Sequence, residues 1–157
     1  MLRRLAARFP DRYPLLLDSA ASGPLSRASV LLAEPGAALW LGADGRLGAE
    51  GFVPQGTSFL GALENWWLAE RGAPLAPAPP DGGAGKLVFE GGWAVFLGYE
   101  LAQEIEPQLA LPRSPLPWAA FALRTPCALV HDLERQRVFA VAEAHAADAL
   151  ARMAAEA

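Results

Sequence analysis

The order of apolar and polar positions along the chain predicts short strands and short helices. Apolar residues at helical spacing predict a helix over residues 2–9, which a proline ends. Apolar runs of strand length follow at 13–19 and 27–35. Two further runs flank Asp44 and Gly45, a pair that suits the positive φ angles of a type I′ hairpin turn. The first part of the chain is therefore predicted to be an antiparallel meander.

The clearest helical pattern begins near residue 57 and continues to Gly72. Thr57 or Ser58 can accept a hydrogen bond from the free N–H groups at its start. Its apolar stripe, which we expect to pack in a core, consists of Phe59, Leu60, Leu63, Trp66 and Trp67. The next segment, 73–86, holds four prolines and three glycines and is predicted to be an extended, mobile linker.

The second half of the chain predicts more strands than helices. KLVFE at 86–90 has strand character, Gly91 and Gly92 permit a tight backbone arrangement, and 93–97 suits a strand covered on both faces. A helix is predicted over 99–105. Three further strands are predicted at 119–124, 126–132 and 137–144. An alanine-rich helix is predicted at 146–157. Together these patterns predict an α+β fold of mainly antiparallel sheet with about three helices.

Composition adds expectations about surfaces and partners. The 157 residues have the length of one domain, and 53% of them are apolar while 19% are charged. This balance predicts more apolar surface than one small domain hides, and therefore a docking face. The net charge is −4, and no Lys/Arg cluster extends beyond Arg3 and Arg4. Nucleic acid is therefore not expected as a partner.

Three further features of the sequence have plain interpretations. No stretch has the pattern of a signal peptide or a membrane span, so we expect no membrane association and a cytoplasmic location. The lone cysteine, Cys127, lies in an apolar run and is predicted to be a buried thiol. GGAGK at 82–86 lacks the Ser or Thr that completes a phosphate-binding loop, so we interpret it as linker.

Several acidic and basic residues are candidates for chemistry. Glu100 and Glu104 are four residues apart on a predicted helix, where they could share Mg²⁺, but a solvated helix face is the favoured interpretation. A proton-transfer role for the same pair would need raised carboxylate pKa values. His131 could activate a serine such as Ser19 or Ser29, yet no G-x-S-x-G motif surrounds them. We therefore interpret His131 as a solvent-facing residue at a strand end.

The segment 17–29 carries a more specific pattern. Asp18 and Ser19 end one predicted strand, and a Gly-Pro loop returns Arg27 beside them. A carboxylate for an ammonium, a hydroxyl for hydrogen bonding and a guanidinium for a carboxylate would suit a zwitterionic ligand. An ordinary salt bridge at a turn is the alternative interpretation.

Three segments together resemble one enzyme family. LLLDSAASGPLSRASVLLAEP (15–35) is similar to the N-terminal signature of the anthranilate synthase and aminodeoxychorismate synthase large subunits. FEGGWAVFLGYELAQEIEP (89–107) resembles the family's Gly-Gly, Gly-Tyr-acid and Glu-rich helix, and WAAFALRTPCALVHDLERQRVFAVA (118–142) resembles its following strands. The resemblance covers about residues 13–145 in order. Within the family, the S-R-x-S segment looks closest to aminodeoxychorismate synthase component I.

The resemblance implies that residues 1–157 form a single, non-catalytic N-terminal domain of the family's sandwich. In the aminodeoxychorismate branch, the enzyme aminates chorismate to 4-amino-4-deoxychorismate for p-aminobenzoate and folate synthesis. A C-terminal chorismate-binding domain does this chemistry with Mg²⁺, using ammonia from a glutamine amidotransferase subunit. That domain's P-I-x-G-T, D-L-x-R-N-D and G-A-P-K motifs do not occur in this sequence. The resemblance thus implies both of these partners, and no cofactor, metal ligand or catalytic residue in the chain itself.

The resemblance also implies a pocket for L-tryptophan. By position, Leu17, Asp18 and Ser19 match the end of the family's strand. Arg27 and Ala28 match the returning strand, and Ala28 stands where the family often has an aromatic or basic residue. Residues 91–107 are then a scaffold junction between strand and helix rather than an active site.

Two other assignments fit the same residues. The chain could be the N-terminal regulatory domain of anthranilate synthase component I, in tryptophan biosynthesis. It could also be a stand-alone module that binds an aromatic amino acid. The second assignment predicts that the chain binds L-tryptophan without any further domain.

Overall fold

The computed structural model describes residues 1–19, 27–71 and 88–157. Several sequence predictions lie outside these ranges: the Gly-Pro loop before Arg27, the linker 73–86 with its GGAGK segment, and the start of the strand predicted at 86–90. The fold below is that of the described residues.

The described residues form eight strands, four α-helices and two 3-10 turns. The α-helices are α1 (Leu2–Arg8), α2 (Phe59–Glu70), α3 (Ala102–Ile105) and α4 (Asp148–Glu156). The strands are β1 (Leu15–Leu17), β2 (Ala28–Ala33), β3 (Ala38–Gly42), β4 (Leu47–Glu50), β5 (Gly92–Leu97), β6 (Trp118–Thr125), β7 (Cys127–Asp132) and β8 (Arg137–Ala142). The 3-10 turns are Tyr99–Leu101 and Ala144–Ala146. The predicted α+β class with mainly antiparallel sheet is confirmed, and the described residues contain four α-helices where about three were expected.

The chain divides into two compact units. The first comprises Met1–Gly36, Pro77–Trp93 and Thr125–Ala157, of which residues 20–26 and 77–87 lie outside the described ranges. The second comprises Ala37–Ala76 and Ala94–Arg124.

A four-stranded antiparallel sheet organises the first unit, in the order β1-β2-β7-β8. Leu31 and Ala33 alternate along β2 and pair with Leu129 and Cys127 of β7, so these four side chains share one face of the sheet. Residues from α1 and α4 join them in one buried cluster, which consists of Leu2, Leu5, Tyr13, Leu31, Ala33, Cys127, Leu129, Ala149 and Met153. The core of this unit therefore lies between its two helices and that face.

The second unit contains β3, β4, α2, α3, and most of β5 and β6, and its sheet has the order β4-β3-β6-β5. The helix α2 buries Phe59, Ala62 and Trp66, three positions of one helical stripe. Phe52 stacks on Trp66 with 4.3 Å between the ring centroids. Apolar packing of α2 explains the position of this helix.

The hairpin between β3 and β4 forms where predicted, but its turn type differs. Gly45 has φ of 78°, whereas φ of Asp44 is not positive. A type I′ turn needs positive φ at both central residues, so the prediction of that turn is wrong. The backbone N–H of Gly45 donates to Gly42 O at 2.9 Å, and the N–H of Gly42 donates to Arg46 O at 2.9 Å. This longer loop places one residue alone in the left-handed region, and glycine occupies it.

The predictions around β5 are partly wrong. Residues 88–90 contain no strand, because Gly91 and Gly92 take φ angles of 119° and 140° that interrupt extended backbone. The strand begins at Gly92, and it is not covered on both faces: Val95 and Leu97 are exposed by 47% and 54%. Val95 and Leu97 alternate along the strand, so the exposed side chains share one face, and the buried Ala94 lies on the other.

Trp67 was predicted to lie in the core, and this prediction is wrong. It is 46% exposed, whereas Trp66 is 4% exposed. Consecutive helical residues point about 100° apart, so a stripe that buries Trp66 turns Trp67 away from the sheet. The guanidinium of Arg71 lies 5.2 Å from the centroid of the Trp67 ring and partly covers it.

Candidate functional site

A cavity of about 440 Å³ lies in the first unit, beside the start of α1 and the end of its sheet. We call it the Asp18 cavity. The described residues that line it are Met1, Leu2, Arg3, Asp18, Ser19, Ser29, His131, Leu133 and Val138. Polar groups on its sheet wall are combined with apolar side chains and with Arg3 of α1, a mixture typical of small-molecule sites.

The register of the sheet brings the polar wall together. Ser29 of β2 pairs with His131 of β7, which pairs with Val138 of β8. Leu17 pairs with Val30, so the next residue along, Asp18, reaches Ser29 from the other side. Directly paired residues present their side chains on the same face of a sheet. A carboxylate, a hydroxyl and an imidazole therefore form a row across the strands.

Ser29 is the centre of the hydrogen bonding in this row. It is 3% exposed, and its hydroxyl donates to Asp18 Oδ1 at 2.8 Å. The hydroxyl oxygen of Ser29 also accepts from the backbone N–H of Ser19 at 3.0 Å. A buried polar group needs such partners, since leaving one unpaired costs about 1–3 kcal/mol. Because its proton is directed at Asp18, Ser29 is not arranged as a nucleophile activated by His131.

The carboxylate of Asp18 is stabilised in its ionised form. The hydroxyl of Ser29 lowers the pKa of Asp18, and the guanidinium of Arg3 lowers it further. Arg3 donates from Nε to Asp18 Oδ2 at 2.7 Å. Each carboxylate oxygen accepts more than one hydrogen bond, so Asp18 keeps capacity for a donor in the cavity.

The structure brings together part of the predicted zwitterion site. Asp18 and Ser19 line the Asp18 cavity, whereas Leu17, Arg27 and Ala28 are absent from its lining. Leu17 is 56% exposed. Ala28 pairs with Asp132, one position beyond the pair of Ser29 and His131, so its side chain lies on the opposite face of the sheet. The Nε of Arg27 lies 3.8 Å from a carboxylate oxygen of Glu134 in an exposed ion pair. The guanidinium bonded to Asp18 is that of Arg3.

Sequence reasoning missed Arg3 in this site, considered Ser29 only as a nucleophile, and misjudged His131. Ser29 is a lone polar residue in an otherwise apolar strand, a signal that could have marked it as part of a buried hydrogen-bond network. Arg3 is distant in sequence and carried no such signal. His131 was expected to face solvent, but it is half-buried and lines the cavity.

A second cavity, of about 270 Å³, lies in the second unit, and we call it the Glu100 cavity. Its lining consists of Leu41, Gly42, Ala43, Gly45, Glu100, Gln103, Glu104, Leu111, Pro112, Arg113, Ser114 and Ala119. The 3-10 turn before α3 places Glu100 at this cavity. Gly98 precedes that turn as its N-cap, and a Cβ atom there would lie 2.5 Å from the carbonyl oxygen of Ala119.

Glu104 has a role that the sequence did not reveal. Its Oε1 accepts from the N–H of Phe59 at 2.7 Å, and its Oε2 accepts from the N–H of Leu60 at 3.0 Å. Ser58 accepts from the N–H of Gly61 at 3.2 Å, as the predicted N-cap. Three donors at the start of α2 are thereby satisfied, and the charge of Glu104 complements the helix dipole. Glu104 is therefore neither a simple solvated residue nor arranged to share a cation with Glu100.

Residues 1–19, 27–71 and 88–157 contain neither a group of metal ligands nor a membrane-spanning helix. No three His, Cys, Asp or Glu side chains there lie close enough to hold a metal ion. No helix in these ranges has the length and hydropathy to cross a membrane.

Comparison with known proteins gives a likeness of fold. No protein-family model matches the sequence, and no curated protein matches it. Among solved structures, the fold is similar to that of anthranilate synthase component I from Streptococcus pneumoniae, with a TM-score of 0.60 and 18% identity. The match covers 87% of this chain and 29% of that protein, so the chain spans under a third of its structural neighbour.

Proposed function

We propose that this chain is a non-catalytic domain of a chorismate-utilising synthase, a scaffold that also holds a small ligand. The observation that carries the proposal is the likeness of fold to anthranilate synthase component I, which extends over 87% of the chain. The three sequence segments that resemble the same family also support the proposal. On this proposal residues 1–157 form one N-terminal-type domain, and the amination of chorismate takes place elsewhere.

The branch that we favour is aminodeoxychorismate synthase component I, in p-aminobenzoate and folate synthesis. The S-R-x-S segment at 26–29 supports it. The name of the structural neighbour favours anthranilate synthase as the second candidate. Disruption of the gene separates the two: a requirement for p-aminobenzoate supports the first, and a requirement for tryptophan supports the second. Growth without either supplement would contradict both.

The proposal includes partners for the exposed apolar side chains of the second unit. Val95, Leu97, Tyr99, Ile105 and Trp118 are each at least 45% exposed. A chorismate-binding domain, which would hold the Mg²⁺, and a glutamine amidotransferase subunit are the partners that we propose, in the cytoplasm. Exposed apolar surface of this kind is typical of docking faces.

An immunoblot of the source cells with an antibody against this chain tests the scaffold role. A band several tens of kilodaltons larger than 16.6 kDa would support a domain within a larger synthase. A band at the size of the chain itself would contradict it and favour the stand-alone module.

The ligand that we propose for the Asp18 cavity is L-tryptophan, held by Asp18 and Ser19, which line it. The resemblance also implies Leu17, Arg27 and Ala28 as pocket residues, but these three lie outside the lining of this cavity. The ionised carboxylate of Asp18 supports this, since it can accept from an ammonium group. Calorimetry with L-tryptophan is expected to show binding that Ser19→Ala weakens, whereas the exposed control Arg4→Ala does not. Arg27→Ala tests whether the pocket implied by the resemblance extends beyond this cavity. No heat and no thermal shift at millimolar ligand would remove the proposal.

A further inference from the structure

The Glu100 cavity contains one anion and one cation that no other group neutralises. Among the described residues, neither the Glu100 carboxylate nor the Arg113 guanidinium takes part in a hydrogen bond or an ion pair, and both residues line this cavity. Glu100 is half-buried, so its charge is partly removed from water. Two opposite charges that face one cavity without pairing each other are suited to a ligand that carries both.

The other polar side chains of this cavity already have partners. Gln103 donates to Leu109 O at 2.9 Å, and the hydroxyl of Ser114 donates to Trp118 O at 3.2 Å. Both carboxylate oxygens of Glu104 accept from the start of α2. The backbone N–H groups of Gly42, Ala43 and Gly45 are used within the hairpin or by Pro117 O. Glu100 and Arg113 are therefore the groups that would select a ligand.

The remaining walls and the size of the cavity narrow the ligand class. Leu41, Leu111, Pro112 and Ala119 supply apolar surface. The volume of about 270 Å³ lies just below the range of about 300–1,000 Å³ typical of drug-sized ligands. A small molecule with an ammonium, a carboxylate and an apolar side chain fits these three properties.

We propose that the Glu100 cavity binds a free α-amino acid with an apolar side chain. Glu100 accepts from the ammonium group, Arg113 donates to the carboxylate, and the apolar wall contacts the side chain. This site lies in the second unit and shares no lining residue with the Asp18 cavity. It does not depend on the function proposed above.

Equilibrium dialysis of the 157-residue chain with L-leucine tests this site. Two analogues probe the charges separately: L-leucine methyl ester lacks the carboxylate, and 4-methylpentanoate lacks the ammonium. We expect one equivalent of L-leucine to bind at millimolar concentration or below. Each analogue should bind at least about tenfold more weakly, because a charge-assisted hydrogen bond contributes about 1.5–3 kcal/mol.

Two substitutions assign the charges to residues. Glu100→Gln should weaken the binding of L-leucine about tenfold and make it equal to the binding of 4-methylpentanoate. Arg113→Gln should make the binding of L-leucine equal to that of its methyl ester. Glu64→Gln and Arg71→Gln, exposed residues of the same unit, should bind as the unaltered chain does.

Three results would overturn the inference: no binding of L-leucine at millimolar concentration, equal binding of L-leucine and both analogues, or full binding by both Gln variants. The analogues are compared on the unaltered chain, so equal binding of all three ligands would contradict the inference even if a variant fails to fold. If Asp18→Asn abolished binding of L-leucine while both Gln variants retained it, the amino acid would occupy the Asp18 cavity. That result would contradict this inference and leave the proposed function standing.

Discussion

Two buried side chains at the junction of β6 and β7 differ in how their polar atoms are satisfied. Cys127 and Thr125 are both 0% exposed. The thiol of Cys127 lies 3.9 Å from the carbonyl oxygen of Ala146, within reach of a weak hydrogen bond. The hydroxyl oxygen of Thr125 has no hydrogen-bond partner in the described part of the chain. Burial therefore controls the reactivity of the Cys127 thiol, and at Thr125 it affects the stability of the folded protein.

Cys127 is expected to be unreactive while the protein is folded. Burial raises the pKa of its thiol to about 11, so the reactive thiolate is scarce at neutral pH. Ellman's reagent should therefore modify the native protein very slowly and react with one thiol per chain after urea unfolds it. Rapid modification under native conditions would show that the thiol is accessible.

The Thr125→Val substitution is expected to leave stability unchanged or raise it by up to about 1 kcal/mol, because it removes an unpaired buried hydroxyl and keeps the shape of the side chain. Thr125→Ser keeps the hydroxyl and removes a buried methyl group, which should cost about 1 kcal/mol. Urea unfolding of the two variants beside the unaltered chain measures both values. A Val variant that is less stable than the Ser variant would indicate that the hydroxyl has a partner.

At the scale of one element, α2 shows how a distant residue completes a helix. Its own N-cap, Ser58, satisfies the N–H of Gly61. The N–H groups of Phe59 and Leu60 depend on Glu104, which is 45 and 44 residues away. The start of α2 is thus stabilised jointly by local sequence and by the position of α3.

The Glu104→Ala substitution is expected to destabilise the protein by about 1–2 kcal/mol, because two helical donors lose their acceptor and the helix dipole loses a nearby charge. Glu104→Gln should cost less, since its amide oxygen can still accept. Glu106→Ala, an exposed residue of the same region, is the matched control and should change stability little. These values come from urea unfolding followed by circular dichroism, and equal stability of all three variants would refute the capping role.

At the scale of the whole molecule, a charged network in the first unit connects the segment before β1, the end of β2 and the helix α4. The hydroxyl of Tyr13 donates to Glu156 at 2.6 Å, and Arg12 also bonds Glu156. Arg152 donates to Glu34 at 3.1 Å. Tyr13 is 1% exposed, so part of the network is shielded from solvent. It fixes α4 against the chain that precedes the sheet.

Acid is expected to weaken the folded state through this network. The hydroxyl of Tyr13 and then the guanidinium of Arg12 hold the pKa of Glu156 below its usual value. The pKa of Asp18 is also lowered. The unfolded chain therefore binds more protons as pH falls below about 5, and the stability that the ionised carboxylates contribute is lost as pH falls through their folded-state pKa values. Thermal unfolding should show a midpoint that decreases between about pH 5 and pH 3.

Glu156→Gln provides the test of that assignment. It should lower the unfolding midpoint at pH 7 and make it less dependent on pH in the acid range. Glu64 is an exposed residue of α2, and Glu64→Gln should have the same unfolding midpoint and pH dependence as the unaltered chain. If Glu156→Gln retains the full acid dependence, other carboxylates cause it.

The sequence by itself determined most of the elements and the class of the fold. Local patterns placed α1, α2 and its cap at Ser58, the β3–β4 hairpin and the strands β6 to β8, because helix caps, turn glycines and apolar periods depend on neighbouring residues. The same patterns singled out Asp18 and Ser19, which line the Asp18 cavity, and predicted correctly that Cys127 is buried. Where a residue's surroundings are set by its own segment, the sequence was sufficient.

Only the tertiary structure decided which distant groups meet. It showed that Arg3 bonds Asp18, that Ser29 and His131 share one wall, and that Glu104 caps α2. It also showed that Trp67 and the edge strand β5 remain exposed. Pairing register and helix placement bring these residues together across many positions of the chain. No local pattern encodes those contacts, because they arise only when strands and helices pack.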